Sequence, residues 1–491
     1  MMWALLFAMT LASGWFLARA LTAGASSGPR WASLLAELAL GALFGPGLAS
    51  ILYFALLAMG AANRASAIGM CAVLLAASAL LFWRLPAPAA AKEEKRSVFP
   101  WTWALWIGVA AGVTFFVLDF QAASSANPAG EWDAMSIWNL RAHDLASGGD
   151  LWRRAVSAEL GGHLTGAAHP GYPLFLSGFI GLQWSASGAF DEAVPIAASL
   201  LFALGAMVLL GASLASRRSV ALGLMAWLVL LASEVFASQA AAQYSDLLQG
   251  LAFLSALVLL EAAWERKDDP RLLAAAGLAI GLSCWIKNEG LPFTLAALAV
   301  AAWRFWPSME KLLWIGVGAL PGLLATVVLK LFVAQGSEAV FPHTVGEAVQ
   351  KITAAGRWWQ AALGFAKAVY DAGNLWTHPV LLAALLALAL RFVPRQEWRG
   401  RVWLLIPMAA TAAAEYGLYL VTTADLNWHI STSVSRLVAQ LWPALIWLFF
   451  MTLRTPEGAY APILGKGAVS NAQAMRATPG GKRKRRREES N

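Results

Sequence analysis

Runs of about 20 apolar residues recur along almost the whole chain, and no other feature constrains its fold as much. A run of that length, wound as an α-helix, crosses the hydrocarbon core of a bilayer with its backbone polar groups bonded internally. The 491 residues are 59% hydrophobic and 13% charged, about half the charged share of a soluble domain. The sequence therefore predicts an all-α, polytopic transmembrane bundle of about 13 spans. They fall at 3–23, 31–59, 66–83, 101–118, 193–214, 220–237, 247–264, 272–286, 291–303, 312–333, 379–392, 402–421 and 437–453. The second is interrupted by Gly45-Pro46-Gly47 and reads as one kinked helix or two short ones. Residues 174–184 are apolar but short and read as a helix lying at the interface.

Basic residues between the runs give an orientation. Lys92/Lys95/Arg96, Arg217/Arg218, Arg266/Lys267/Arg271, Arg304/Lys311, Arg391/Arg395/Arg399/Arg401 and the tail run KRKRRR all fall on one side of the predicted bundle. By the positive-inside rule that side is cytoplasmic. The net charge of +8 therefore reads as topology, and nucleic acid is not an expected partner. Many of the 25 Trp, among them Trp101, Trp103, Trp303, Trp306, Trp376 and Trp403, stand near the ends of runs, as interfacial anchors among membrane lipids do. Cys71 and Cys284 lie inside apolar runs, which argues against a disulfide framework. The first run lacks a basic lead and a clear cleavage site, so it reads as a retained helix. A Pro/Ala linker with a charge cluster divides residues 1–97, an N-terminal group of extra helices, from a main module at 98–333 whose outer loop is 119–192. Residues 334–457 follow with an outer segment and the last spans. The polar, Gly-rich tail at 458–491 reads as disordered.

With that topology, each outward turn carries titratable residues close to the apolar core. The long loop holds Glu131-Trp132-Asp133, then Arg141, His143, His163 and His169, and ends in HPGYP with Tyr172. Asp133 precedes an amphipathic stretch (Ile137, Trp138, Leu140, Leu145), so it reads either as the N-cap of that helix or as a site carboxylate. Asp246, after Tyr244 in the turn QYSD, poses the same choice before the next helix. In WIKNEG, Lys287 and Glu289 stand between two runs with little polar spacer, an expensive placement near a membrane. Lys287 can snorkel, pair with Glu289 or bind a phosphate. His429 lies in the last outward turn, and Arg436 is placed at the start of the last run. Arg436 wants either a phosphate or an ion pair with Asp425 or the long loop. His169 either lines a site or bonds the loop. Glu37, Lys330 and Glu415 are further charges in or near spans, read as lining a polar cavity.

The order EWDAMSIWNLRA, HPGYPLFL, QYSD and WIKNEG, all on one membrane side, resembles the bacterial GT-C glycosyltransferases. Within that class it is similar to the protein O-mannosyltransferase and aminoarabinose transferase group. The resemblance runs from Val98 to Leu453 and leaves the first three spans unexplained. It implies a polyprenyl-phosphate-linked sugar donor and transfer with inversion, outside the cytoplasmic membrane, to an acceptor that is a protein, a lipid or a glycan. Asp133 resembles the family's first-loop aspartate, a general base or acceptor-orienting residue, and Asp246 the acidic residue of the second outer loop. HPGYP is similar to a Pro-Pro-Leu segment, with Tyr172 in place of a proline. Lys287 matches the Lys of a Thr-Lys-Gly turn, with Ile286 for the Thr and Asn288-Glu289 intervening. Arg436 resembles the arginine before the final span.

Displacement at an anomeric carbon needs a base near the acceptor and positive charge on the leaving phosphate. The resemblance thus implies Asp133, Asp246 and Glu131 as catalytic candidates. The substrate- and phosphate-binding candidates are Arg436, Lys287, Arg141, His169, Tyr172, Tyr244, Glu289 and His429. A divalent cation on Asp133 and Asp246 is an alternative neutraliser, but these ligands are too few to claim a metal, and no other cofactor is expected. The rival expectations are a secondary transporter, which would need repeats and mid-membrane charges, and a non-catalytic envelope-assembly protein.

Overall fold

The structure is a computed structural model that describes residues 2–23, 28–85, 98–157, 169–266, 269–334, 342, 344–374 and 377–460. The basic clusters at 92–96 and 482–487, Lys267 and His163 lie outside the described residues. All the described elements are helical, apart from an isolated bridge between Phe392 and Leu453. In chain order they begin with α1 (Met2–Thr22), α2 (Arg30–Ala58), α3 (Arg64–Arg84) and α4 (Thr102–Ala126). The long loop then forms a π-helical turn (Ala134–Trp138), α5 (Asn139–Ala146) and a 3-10 turn (Gly149–Val156). Next come α6 (Phe175–Ser187), α7 (Ala193–Arg217), α8 (Val220–Leu231), α9 (Glu234–Ala241), α10 (Asp246–Glu265), α11 (Pro270–Ile286), α12 (Gly290–Phe305) and α13 (Met309–Val328). The C-terminal part holds α14 (Val345–Thr353), α15 (Ala355–Tyr370), α16 (Pro379–Leu390), α17 (Arg395–Arg399), α18 (Leu405–Val421), α19 (Leu426–Met451) and α20 (Pro456–Tyr460).

Each predicted run is helical. Among the described residues nine helices are long and apolar enough to cross a membrane, and the pair α8–α9, bent by 71°, would make ten. Three shorter apolar helices, α11, α12 and α16, account for the remaining predicted runs. The Gly45-Pro46-Gly47 interruption does not split the second run, since α2 continues through it. Glycine is required at this point because a Cβ on Gly45 would lie 2.0 Å from the Thr10 carbonyl oxygen of α1, the close approach that small residues permit between membrane helices. The same device joins α11 to α13, where a Cβ on Gly281 would lie 2.3 Å from the Ala319 carbonyl oxygen.

Three sequence readings change. The run at 101–118 continues as a helix to Ala126, into the stretch assigned to the outer loop. The last helix begins at Leu426, well before residue 437, because Asp425 caps it through the Trp428 N–H at 2.8 Å. Ser431, Thr432 and Ser433 then bond back to carbonyls of the preceding turn, so their polarity does not break the helix. The segment at 174–184 does not lie on the membrane surface. It is α6, buried along nearly its whole length and enclosed by α1, α2, α3, α5 and α7. Its sequence is apolar all round, which suits a helix wrapped in protein, and Gly178 and Gly181 let Ser50 and Ala142 approach it.

The bundle has two chemically distinct ends. At one, Arg217 pairs with Glu265 at 2.7 Å, Arg401 pairs with Glu261 and Glu265, and Arg218 donates to the carbonyls of Met451 and Leu453. This end gathers the C-termini of α7, α10 and α19 and the approach to α18. The starts of α10 and α19 and the ends of α8 and α18 consequently lie at the other end. The core helix α10 is almost wholly buried.

Candidate functional site

The candidate residues converge at the end opposite the arginine cluster, brought there by five separate parts of the chain. The turn 242–245 is stapled to the first loop by Gln243, a buried residue with a positive φ of 62°. Gln243 Nε2 donates to the Pro128 carbonyl, and its Oε1 accepts from Asn139 Nδ2, both at 2.8 Å. This staple fixes Asp133 against Tyr244, whose hydroxyl accepts the Asp133 backbone N–H at 3.3 Å. Burial pushes the Tyr244 phenol up to about 12, so it stays neutral and serves as a fixed dipole.

Asp133 occupies the N-cap position of the π-helical turn but makes no capping bond with its side chain. Its Oδ2 instead receives Arg436 Nη1 in an ion pair. The Arg436 guanidinium lies over the Tyr244 ring, 4.9 Å from its centroid, within range of a cation–π contact. Arg436 is not at the start of a helix; it projects from the interior of α19 because that helix starts early. Of its two expected classes of partner, the structure shows the long-loop carboxylate.

A second charged group lies deeper. Asp246 is the first residue of α10 and wholly buried; Ser245 before it takes the N-cap position and makes no side-chain cap bond. Lys287, just past α11, donates to Asp246 Oδ1 at 2.9 Å and lies 3.0 Å from Glu289 Oε1. Burial alone would lower the pKa of Lys287, but Asp246 and Glu289 outweigh it and hold the ammonium above its ordinary value. Lys287 therefore pairs inward and does not snorkel. The turn closes this tightly because residue 290 is glycine: a Cβ there would lie 1.9 Å from the Ser283 carbonyl oxygen. Below this triad Gln440 of α19 donates to Glu415 of α18, both buried.

The end of the long loop forms an aromatic wall. His169 stacks on Tyr172 at 4.4 Å between centroids, and Tyr172 stacks on Trp138 at 5.7 Å. Lys330 braces this wall, donating to the Gly171 carbonyl at 2.8 Å and to Asn288 Oδ1 at 2.7 Å. His429 bonds the Thr422 hydroxyl at 3.0 Å and packs on Tyr419. Glu131 is exposed at the rim, its backbone N–H bonded to the Ala242 carbonyl.

Arg141 departs from the expected phosphate role. It is buried, with Nε donating to the Ala155 carbonyl at 2.7 Å and Nη2 to the Tyr172 carbonyl at 2.8 Å. It clasps the loop from within, because a fork of fixed donors suits several carbonyls at once. Gln243, Asn139 and Gln440 carry no charge and escaped selection in the sequence; the one available signal was an amide inside or beside an apolar run. No three His, Cys, Asp or Glu among the described residues are grouped to hold a metal ion. Glu37, the other charge within the early spans, pairs with Arg19 at 2.6 Å away from this constellation.

The arrangement offers a surface-proximal carboxylate paired with a guanidinium, above a buried ammonium held by two carboxylates. The chain matches no protein-family model, no curated protein and no solved structure.

Proposed function

We propose that this chain is an integral membrane glycosyltransferase. It moves a sugar from a polyprenyl-phosphate-linked donor to an acceptor on the outer face of the cytoplasmic membrane, by GT-C-type chemistry. The observation that carries this reading is the pairing of Asp133 with Arg436 over Tyr244, between residues 303 positions apart in the chain. The arginine cluster at the opposite end supports the orientation, since basic loops stay cytoplasmic. In the same reading the bent pair and the three short apolar helices also cross, which restores about 13 spans.

The pair suggests how the site is switched on. An arriving donor phosphate competes for Arg436 as a bidentate anion, and Asp133 is released as a free carboxylate. An acceptor hydroxyl then gives its proton to Asp133 as its oxygen forms a bond to the anomeric carbon. The bond from that carbon to the phosphate oxygen breaks, and the electron pair leaves with the phosphate. Arg436, with Lys287 behind it, stabilises that charge. Asp246 and Glu289 keep Lys287 charged and in place, and the Trp138–Tyr172–His169 wall stands beside the reacting groups.

The test is donor turnover by purified protein offered a panel of radiolabelled polyprenyl-phosphate sugars together with membrane extract as a source of acceptor. The expected result is sugar loss from one donor, abolished in Asp133→Ala with membrane expression intact, and a raised donor KM in Arg436→Ala. Turnover that is indifferent to Asp133, or no turnover of any donor with extract present, would move the transporter or envelope-assembly reading ahead.

A further inference from the structure

The helical pair α14–α15 has no part in the site chemistry, yet it lies beside the site. Its inner face is fixed to the end of the bundle that carries the site. Lys351 donates to the Thr422 carbonyl at 3.1 Å, and Arg357 donates to the carbonyls of Tyr419, Leu420 and Thr422 at 2.9 to 3.1 Å. These are the last carbonyls of α18, which a helix leaves without internal partners. Two cations at that terminus also complement the helix dipole. Ala361, Phe365 and Ala368 of α15 pack into a small core with Tyr419, Val434 and Leu437.

The far end of α15 is fixed elsewhere. The Ala372 carbonyl accepts the Glu234 N–H at 3.0 Å, and Asn374 Nδ2 donates to Glu234 Oε1 at 2.9 Å. Glu234 stands at the bend between α8 and α9, at the end of α8 remote from Arg217 and Arg218. So one end of α15 is tied to the terminus of α18 and the other to the terminus of α8. Both termini face away from the arginine cluster. A helix held that way lies across the end of the bundle and does not run through it. At 1.5 Å per residue its 16 residues cover about 24 Å.

What α15 turns away from the bundle is apolar. At about 100° per residue, Trp359, Leu363, Ala366 and Tyr370 fall on one stripe, opposite Ala361 and Ala368. Trp359 is 68% exposed, Leu363 49% and Tyr370 77%. Ile352 of α14 is likewise exposed. Only Gln360 and Lys367 border the stripe on its polar edge. The stripe continues onto the shorter apolar helix α16: the Tyr370 carbonyl accepts from His378, the residue that caps α16, and Val380 and Leu381 in the first turn of α16 are exposed. An apolar stripe with Trp and Tyr, a lysine at its edge and continuity with the outer wall of the bundle matches the boundary between lipid headgroups and acyl chains.

We propose that α14–α15 is an interfacial strap whose Trp359–Tyr370 stripe is immersed in the bilayer boundary on the site-bearing side. The strap joins α18–α19, which carry Glu415 and Arg436, to the α8–α9 bend, which leads into Tyr244 and Asp246. Its immersion fixes the depth of the site at the level where lipid headgroups lie. This inference does not rest on the glycosyltransferase reading.

The experiment places a nitroxide label at Trp359→Cys, Leu363→Cys, Ala366→Cys and, for comparison, Gln360→Cys, in the full chain reconstituted into lipid nanodiscs. Cys71 and Cys284 are fully buried, so the label taken up by the unsubstituted chain is the blank. All four positions are outward-facing, and monodispersity by gel filtration is the check on folding. Power-saturation measurements compare collision with oxygen, which partitions into lipid, and with a water-soluble nickel chelate. The expected result is dominant oxygen access at 359, 363 and 366, with the chelate gaining at 360. Dominant chelate access at the three stripe positions would mean the stripe faces water. Shielding from both reagents would mean a protein surface covers it, whether a second copy or another chain. Either outcome overturns the proposal.

Discussion

Replacing Lys287 by methionine gives the most quantitative test of the buried charge group. Among the described residues the ammonium is the one ion-pair partner of Asp246, which is 1% exposed, and it also contacts Glu289. Its loss leaves a carboxylate buried without its cation, a change that costs about 3–5 kcal/mol when one partner of a buried pair is removed. A ceiling follows from chemistry, because the carboxylate can instead take up a proton. From an ordinary aspartate pKa of about 3.9 to pH 7 is about three units, at about 1.36 kcal/mol each, so neutralisation caps the penalty near 4 kcal/mol. The sign with pH is fixed by the same relation: lowering the pH makes the proton cheaper. Lys287→Met is therefore expected to cost about 4 kcal/mol at pH 7 and about 1.5 kcal/mol at pH 5. Replacing both partners, as Lys287→Met with Asp246→Leu, should recover most of the loss, because apolar isosteres in place of a buried pair are close to neutral. Equilibrium unfolding in mixed detergent micelles at the two pH values, run as a double-substitution cycle, measures all of this. A single substitution costing under about 1 kcal/mol, a penalty that does not shrink with pH, or additive effects in the double variant would each refute the reasoning.

Three further outcomes follow from the geometry. Arg141→Lys should loosen the first loop, since one ammonium cannot reproduce the fork that holds Ala155 and Tyr172; hydrogen exchange is expected to quicken across 149–156 and around 172, at a local cost of about 2 kcal/mol. Unchanged exchange with weaker donor binding would return Arg141 to the phosphate role. Gly281→Ala should destabilise the α11–α13 contact by about 1–3 kcal/mol because its new methyl meets the Ala319 carbonyl. Gly316→Ala on α13 meets nothing within 4 Å and should be neutral or slightly stabilising; equilibrium unfolding in mixed micelles reads both glycine variants.

The membrane class and the helical segments were legible because hydropathy is additive along a chain, and so were Asp133, Asp246, Lys287 and Arg436 as residues too expensive to place idly. A pairing of Arg436 with the long loop stood among the alternatives, but Asp133 as its partner, and Asp246 as the partner of Lys287, were not legible. Asp133 joins Arg436 only because α19 begins at Leu426, capped by Asp425, and that early start carries the helix through hydroxyls that read locally as a polar turn. The surroundings of α6 also escaped the sequence, since an apolar run of that length suits a lipid surface and a protein interior equally well. Arg141 illustrates a general ambiguity: a guanidinium built to grip a phosphate and one built to grip loop carbonyls have the same letter. The uncharged staple Gln243 was hidden for the opposite reason, being a residue whose whole value lies in contacts across 104 and 115 positions.

The enclosure of α6 has a consequence for how this chain can be shortened or assembled. Its wall is built largely from α1, α2 and α3, with Phe7 against Phe179 at 5.3 Å and the Tyr53 hydroxyl on the Leu145 carbonyl at 2.9 Å. The helices synthesised first thus wait, already locked together through Gly14, Gly41 and Gly45, for a partner that emerges more than a hundred residues later. A chain started at the fourth helix would present the phenylalanines of α6 to lipid and leave the loop bearing Asp133 without its floor. The leading helices are the mould in which the reactive loop is cast, and trimming them would cost the loop its shape before it cost the membrane an anchor.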